Sequence, residues 1–151
     1  MQSTPRLAFL AIGLSSALAL AACGGTPAGP SVAPAAPAAS LAIETNAVWH
    51  LRSMTGAGGS VQAIEDPNLF TLTFSDAGKV AARVDCNRAM GGYTISGSTV
   101  SIGPMASTKA YCGEASFDWQ FLTLLGGDTT AATSGNTLQL SSSRGILTFD
   151  R

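Results

Sequence analysis

Cys86 and Cys112 are the two residues of this chain whose type and spacing most invite chemistry. Three readings of the pair stand open. A disulfide would close the chain between them and, by the chain-entropy argument, add roughly 3–4 kcal/mol to stability. Two free thiols would pack as small apolar groups. A metal or redox site is the weakest of the three, because no histidine lies near either cysteine and there is no Cys-x-x-Cys. Thr108, four residues before Cys112, could be a nucleophile only beside a base. His50 is the single histidine, on a stretch whose alternation turns it away from Trp49 and Leu51, so a Ser-His-Asp arrangement has no support. The carboxylates show no paired spacing, and Glu65-Asp66 reads as a solvated loop. Gly56 to Ser60 lacks the lysine and the strand-to-helix setting of a phosphate loop. No catalytic, cofactor-binding or metal-binding set is assigned, and the chain is not expected to be an enzyme.

The third cysteine belongs to a different chemistry. Arg6 and the α-amino group precede an uncharged run from Leu7 to Leu20, which is followed by small residues. Such a run is short for a spanning helix of about 20 residues and has the layout of a leader peptide. Leu20-Ala21-Ala22-Cys23 resembles a bacterial lipobox, which implies cleavage before Cys23, a 1–22 signal peptide and acylation (palmitate among the chains) of the new first residue. Several acyl chains would hold the protein firmly, since each buried methylene adds roughly 0.8 kcal/mol. Gly24 and Gly25 follow the cysteine, which by the same resemblance implies the periplasmic face of the outer membrane in a Gram-negative host. Residues 23–45 then form a tether: Gly24 to Ser40 is rich in Pro and Ala and carries no charge or aromatic ring.

The remaining 46–151 suffices for one domain with its own core. Removing Arg6 with the leader leaves seven basic side chains against nine acidic ones, scattered without a basic stripe, so nucleic acid is not an expected partner. Export places Cys86 and Cys112 in an oxidising compartment.

The elements that must position these residues are mostly strands. Ala47 to Ser53 alternates, with Trp49 and Leu51 on one side. Met54 to Pro67, rich in glycine, reads as a flexible loop. Phe70, Leu72 and Phe74 alternate up to a Ser75-Asp76-Ala77-Gly78 turn. Val80, Ala82, Val84 and Cys86 then share one face, which predicts an inward Cys86. Gly91-Gly92 reads as a break, followed by Tyr93 and Ile95, a turn at Ser96-Gly97-Ser98 and a strand ended by Pro104. The period changes once: Phe117, Phe121, Leu124 and Leu125, read from Glu114, mark one face of a helix that Gly126-Gly127 stops. Three short strands around Ser134-Gly135-Asn136 and Ser143-Arg144-Gly145 complete the chain. The predicted class is β-rich α+β, an antiparallel meander or partly closed barrel of about eight strands with one helix.

Cys86-Asn87-Arg88, Gly92-Tyr93, Trp49-His50-Leu51, the run Gly103 to Thr108 and the Thr108-to-Cys112 spacing together resemble the META domain family, which includes the HslJ lipoproteins. Late strands at Asn136 to Leu140 and Gly145 to Phe149 extend the likeness over nearly the whole domain. Departures are Ala89 after Cys-Asn-Arg, Asp85 before it and Tyr111 before the second cysteine. The resemblance implies a β-meander with a helix, and an association with envelope stress or antibiotic tolerance. It implies no catalytic residue. Asn87 is expected to satisfy loose peptide groups at a turn, Arg88 to do the same or to reach solvent or a partner, and Thr108 to bond backbone.

The expected function is therefore a non-enzymatic, membrane-anchored envelope lipoprotein with an envelope protein as partner. Two alternatives are a carrier of a small ligand or lipid in the β-barrel, and an inhibitor of a hydrolase acting through the Met54 to Pro67 loop.

Overall fold

A computed structural model of the chain describes residues 41–151. The expected signal peptide, Cys23 and most of the tether lie outside the described residues. The strands are β1 (Trp49–Gly56), β2 (Val61–Ala63), β3 (Phe70–Phe74), β4 (Lys79–Val84), β5 (Asn87–Ser96), β6 (Thr99–Ile102), β7 (Ala106–Ser107), β8 (Gly127–Ser134), β9 (Thr137–Ser142) and β10 (Gly145–Asp150). The helix α1 spans Asp118–Leu125. All pairings are antiparallel. Eight strands form a closed ring in the order β1-β3-β4-β5-β6-β8-β9-β10, with β10 returning to β1; β2 and β7 are additional.

Ring closure rests on the pairing of the first strand with the last, from His50 opposite Asp150 to Gly56 opposite Gly145. The register slips between Leu51 and Ser53, which leaves Arg52 as an extra residue. That bulge lets Leu51 and Met54, three residues apart, both face inward, where each is buried. Arg52 turns outward and its Nε bonds Asp150 Oδ1 at 2.5 Å. Alternation in β3, β4, β9 and β10 sends Leu72, Phe74, Val80, Leu138, Leu140 and Phe149 into the same interior. Burying each large apolar side chain favours the fold by roughly 1.5–3 kcal/mol.

The helix closes one end. Phe121 meets Phe70 and Phe149 edge to face, at ring-centroid distances of 5.6 and 6.2 Å, and Leu124 and Leu125 are buried with it. The helical period is as expected, but the helix begins at Asp118 rather than near Glu114. Chain entry lies at the other end, where Asn46 N donates to Phe74 O at 2.6 Å. Ile43 is buried in the core and Glu44 pairs with Arg151, so packed structure begins before Asn46.

Three further expectations change. Met54 to Pro67 is a hairpin: β2 pairs with β1, and a 3-10 turn at Pro67–Leu69, capped by Asp66, leads into β3. Gly91-Gly92 does not interrupt β5, which runs through both and changes its neighbours there, from β4 to β6. A Cβ on Gly91 would lie 3.2 Å from Pro104 O, so glycine admits the crossing chain. Cys86 is exposed. Strand β4 ends at Val84, and Asp85, at φ 58°, opens a two-residue turn that shifts the alternation, so that Asn87 takes the inward place opposite Val84.

Gly145→Ala is expected to loosen ring closure. At φ 145° its Cβ would overlap the Thr55 carbonyl oxygen and lie 3.0 Å from Leu124 Cδ2. Urea unfolding should show a loss of about 2 kcal/mol or more; an unchanged midpoint refutes the steric account. At the entry end, hydrogen bonds from Thr45 and then Asn46 hold Asp76 below its ordinary 3.8. Its contribution to stability is complete above that ordinary value and disappears as pH falls through the lowered one. An NMR titration should give Asp76 a midpoint under 3.8, and Asn46→Ala should raise it.

Candidate functional site

The motif residues converge on the side-chain amide of Asn87. Placed inward by the Asp85-Cys86 turn, Asn87 is only 2% exposed. Its Oδ1 accepts from Thr108 Oγ1 and from Ala110 N, both at 2.8 Å. Its Nδ2 donates to Ala110 O at 3.0 Å, with Cys112 Sγ at 3.2 Å and Asp118 Oδ2 at 3.3 Å also within reach. The amide thus grips both sides of the backbone at Ala110, as a neighbouring strand would. Thr108 extends the network: its hydroxyl accepts from Arg88 N at 3.0 Å while donating to Asn87, and its own N–H donates to Arg88 O at 3.0 Å.

This network explains how an irregular segment is held. Between β7 and α1 the chain has no regular structure, yet it is fixed at Thr108, at Ala110 and at Cys112. The last of these is bonded to Cys86 in a disulfide with Cα atoms 5.5 Å apart. The disulfide therefore joins the β4–β5 turn to the approach to the helix. The disulfide reading of the pair holds, with the sulfurs at the rim of the barrel rather than inside it.

The other motif residues lie elsewhere. Trp49 is buried at the entry end, its Nε1 donating to Glu44 O at 3.3 Å and its ring 5.2 Å from the Arg151 guanidinium. Tyr93 packs on Phe74 and donates its hydroxyl to Ser75 O at 2.9 Å. Burial, and then the charge of Asp76, push the Tyr93 phenol above its usual range. Gly92 accepts from Gly103 N at 3.0 Å where β6 leaves the ring. Arg88 is exposed on β5, and His50 sits opposite Thr71 on β1, away from Thr108.

This chemistry is structural. The Thr108 hydroxyl donates its hydrogen to the Asn87 amide, and among the described residues no histidine or carboxylate is hydrogen-bonded to it. Among the described residues no three His, Cys, Asp or Glu side chains gather as metal ligands, and no helix is long and apolar enough to cross a membrane.

Two surface features escaped the sequence reading. Tyr111 and Trp119, 81% and 76% exposed, flank the disulfide and the start of α1. A shallow cleft of about 370 Å³ opens between β2 and the helix approach, floored by Ile64, Leu69, Phe70 and Phe117 and edged by Glu65, Asp66 and Asp85. Both depend on where irregular segments are pinned, which no periodicity reports.

These features define a small antiparallel β-barrel with large apolar side chains buried inside it, closed by one helix and clamped by one disulfide. Residues 40–151 match the META domain, and the chain belongs to the META domain family. An NMR structure of a protein from Burkholderia xenovorans has the same fold, at 22% identity and a TM-score of 0.59 over 79% of this chain and 98% of that one. A second NMR structure aligns at 19% identity and a TM-score of 0.51, over 68% and 86% of the two chains. No curated protein matches significantly.

Asn87→Ala should lower stability by about 2–3 kcal/mol, because it strands the Ala110 peptide. Thermal melts should show that loss with the disulfide intact; a variant as stable as the parent would show that the amide network is dispensable.

Proposed function

We propose that this protein is a non-catalytic, membrane-tethered binding protein of the bacterial cell envelope, held by lipid on Cys23 and engaging a protein partner. The observation that carries the reading is the polarity of the domain. The chain enters beside Phe74, whereas the disulfide, Tyr111 and Trp119 cluster at the Phe70 end of the same strand. A tether at the entry end would leave the aromatic end free to meet a partner. Exposed tyrosine and tryptophan side chains are the residue types that dominate binding energy in interfaces. The bulk of Trp49, Phe74, Phe121 and Phe149, all buried in the barrel, favours recognition on the outside over storage within. Envelope stress or antibiotic tolerance, implied by the resemblance to HslJ lipoproteins, is the process proposed for it; a deletion strain with unaltered heat, detergent and antibiotic tolerance would remove that part.

The anchor is tested by mass spectrometry of the mature amino terminus, which should show acylated Cys23; an unmodified Cys23 overturns it. The surface is tested with a photo-crosslinker at Trp119, and a control at Val48 by the entry end. A defined adduct should form from Trp119 and be lost in Tyr111→Ser. Equal adducts from both positions would refute the assignment.

A second reading is favoured by the cleft floored by Ile64, Leu69, Phe70 and Phe117: a small amphipathic ligand bound at the surface. Native mass spectrometry of protein taken from its own envelope should then retain a ligand that Leu69→Asp releases; a ligand-free spectrum removes this reading.

A further inference from the structure

Arg83 and Arg88 are direct partners across β4 and β5, and both side chains are exposed. Like charges placed opposite one another destabilise a sheet. Thr71 flanks Arg83 in the same outward row, and the Thr108 backbone pairs with that of Arg88. In the next outward row Thr73, Ala81 and Met90 are aligned. The small Ala81 leaves a hollow between the rows, a shallow cleft of about 440 Å³ lined by Thr71, Thr73, Ala81, Arg83, Arg88 and Met90. Lys79 adds a third cation along β4.

Among the described residues, neither arginine forms an ion pair. Asp85, in the adjoining turn, accepts from Arg83 Nε with its backbone carbonyl, at 3.1 Å, and not with its carboxylate. Asp150 lies further round the ring, opposite His50, and is bonded to Arg52. No ion pair among the described residues offsets the two charges.

We propose that this cleft binds a phosphate group, free or esterified. Guanidinium forks match phosphate oxygens in paired, charge-assisted hydrogen bonds. Two of them roughly 5 Å apart at Cβ can grip one tetrahedral group from both sides. The Thr71 and Thr73 hydroxyls add neutral donors, and Met90, 66% exposed, offers an apolar wall to the carbon part of an ester. Binding removes the repulsion, so occupancy and stability are coupled. The site lies on the outer wall of the barrel, one residue along from the Phe70–Val84 pair at the aromatic end. Phosphate binding by the isolated protein needs no partner, so its failure and the failure of the partner reading are told apart.

The test uses the full chain in a neutral detergent, titrated with inorganic phosphate and with glycerol 3-phosphate, against sodium chloride of equal ionic strength. Both phosphates should shift the amide signals of Thr71, Arg83 and Arg88 and raise the melting temperature beyond the chloride control. Arg83→Gln and Arg88→Gln should each weaken binding roughly tenfold or more. Arg88→Gln, whose parent side chain forms no hydrogen bond among the described residues, should melt no lower than the parent when no phosphate is present. Tighter binding of glycerol 3-phosphate supports the site with an ester, such as a lipid headgroup, as its source; equal binding supports it with free phosphate. Shifts matching those of chloride, or binding that survives loss of both arginines, overturn the proposal.

Discussion

The pairing of β1 with β10 is the constraint on which the rest of the molecule depends. It joins the two ends of the domain and turns a meander with two raw edges into a ring. An open sheet would expose unpaired amides along both outer strands. Closure also defines an inside, and only then does the period-two alternation of every strand become a core. The Arg52 bulge keeps that alternation usable: without an extra residue there, Leu51 and Met54 could not both face inward. Gly145 serves the same closure from the opposite strand, where a side chain would meet the Thr55 carbonyl.

A closed ring still has two ends, and they are finished differently. At the entry end, ring packing and short polar contacts suffice: Trp49 beneath Arg151, Tyr93 bonded to Ser75, Asn46 bonded to Asp76. At the other end a helix must be brought across on a segment without secondary structure. Asn87 supplies the hydrogen bonds that a strand partner would otherwise provide to Ala110, and the disulfide limits how far the segment can retreat. A buried amide of this kind is effective because each of its polar atoms is met; a half-satisfied one would cost more than an apolar residue. The residues that looked reactive in the sequence, Cys86, Cys112 and Thr108, are thereby engaged in holding the helix end together.

The strand faces, the helix face and the turns at Gly78 and Gly135 were legible because each follows from local period or local backbone freedom. The family resemblance was legible too, since its motif residues keep their spacing. Cys86 was misread for a physical reason: a two-residue turn at Asp85 shifts the alternation, and the side chain that inherits the inward position is Asn87. Met54 was misread because a bulge one turn of the pleat earlier moves it from the expected loop into the core. Arg83 and Arg88 looked like scattered charges, although folding the β4–β5 hairpin sets them face to face.

By itself, the sequence determined most of the strands, though not β2 or β7, and the one helix, because these depend on neighbours a few residues away. Only the tertiary structure decided that the sheet closes, that Asn87 is the centre of the motif, and that two arginines face each other across the wall. Those outcomes depend on register between distant strands, and register is set by bulges, turns and packing summed over the whole ring.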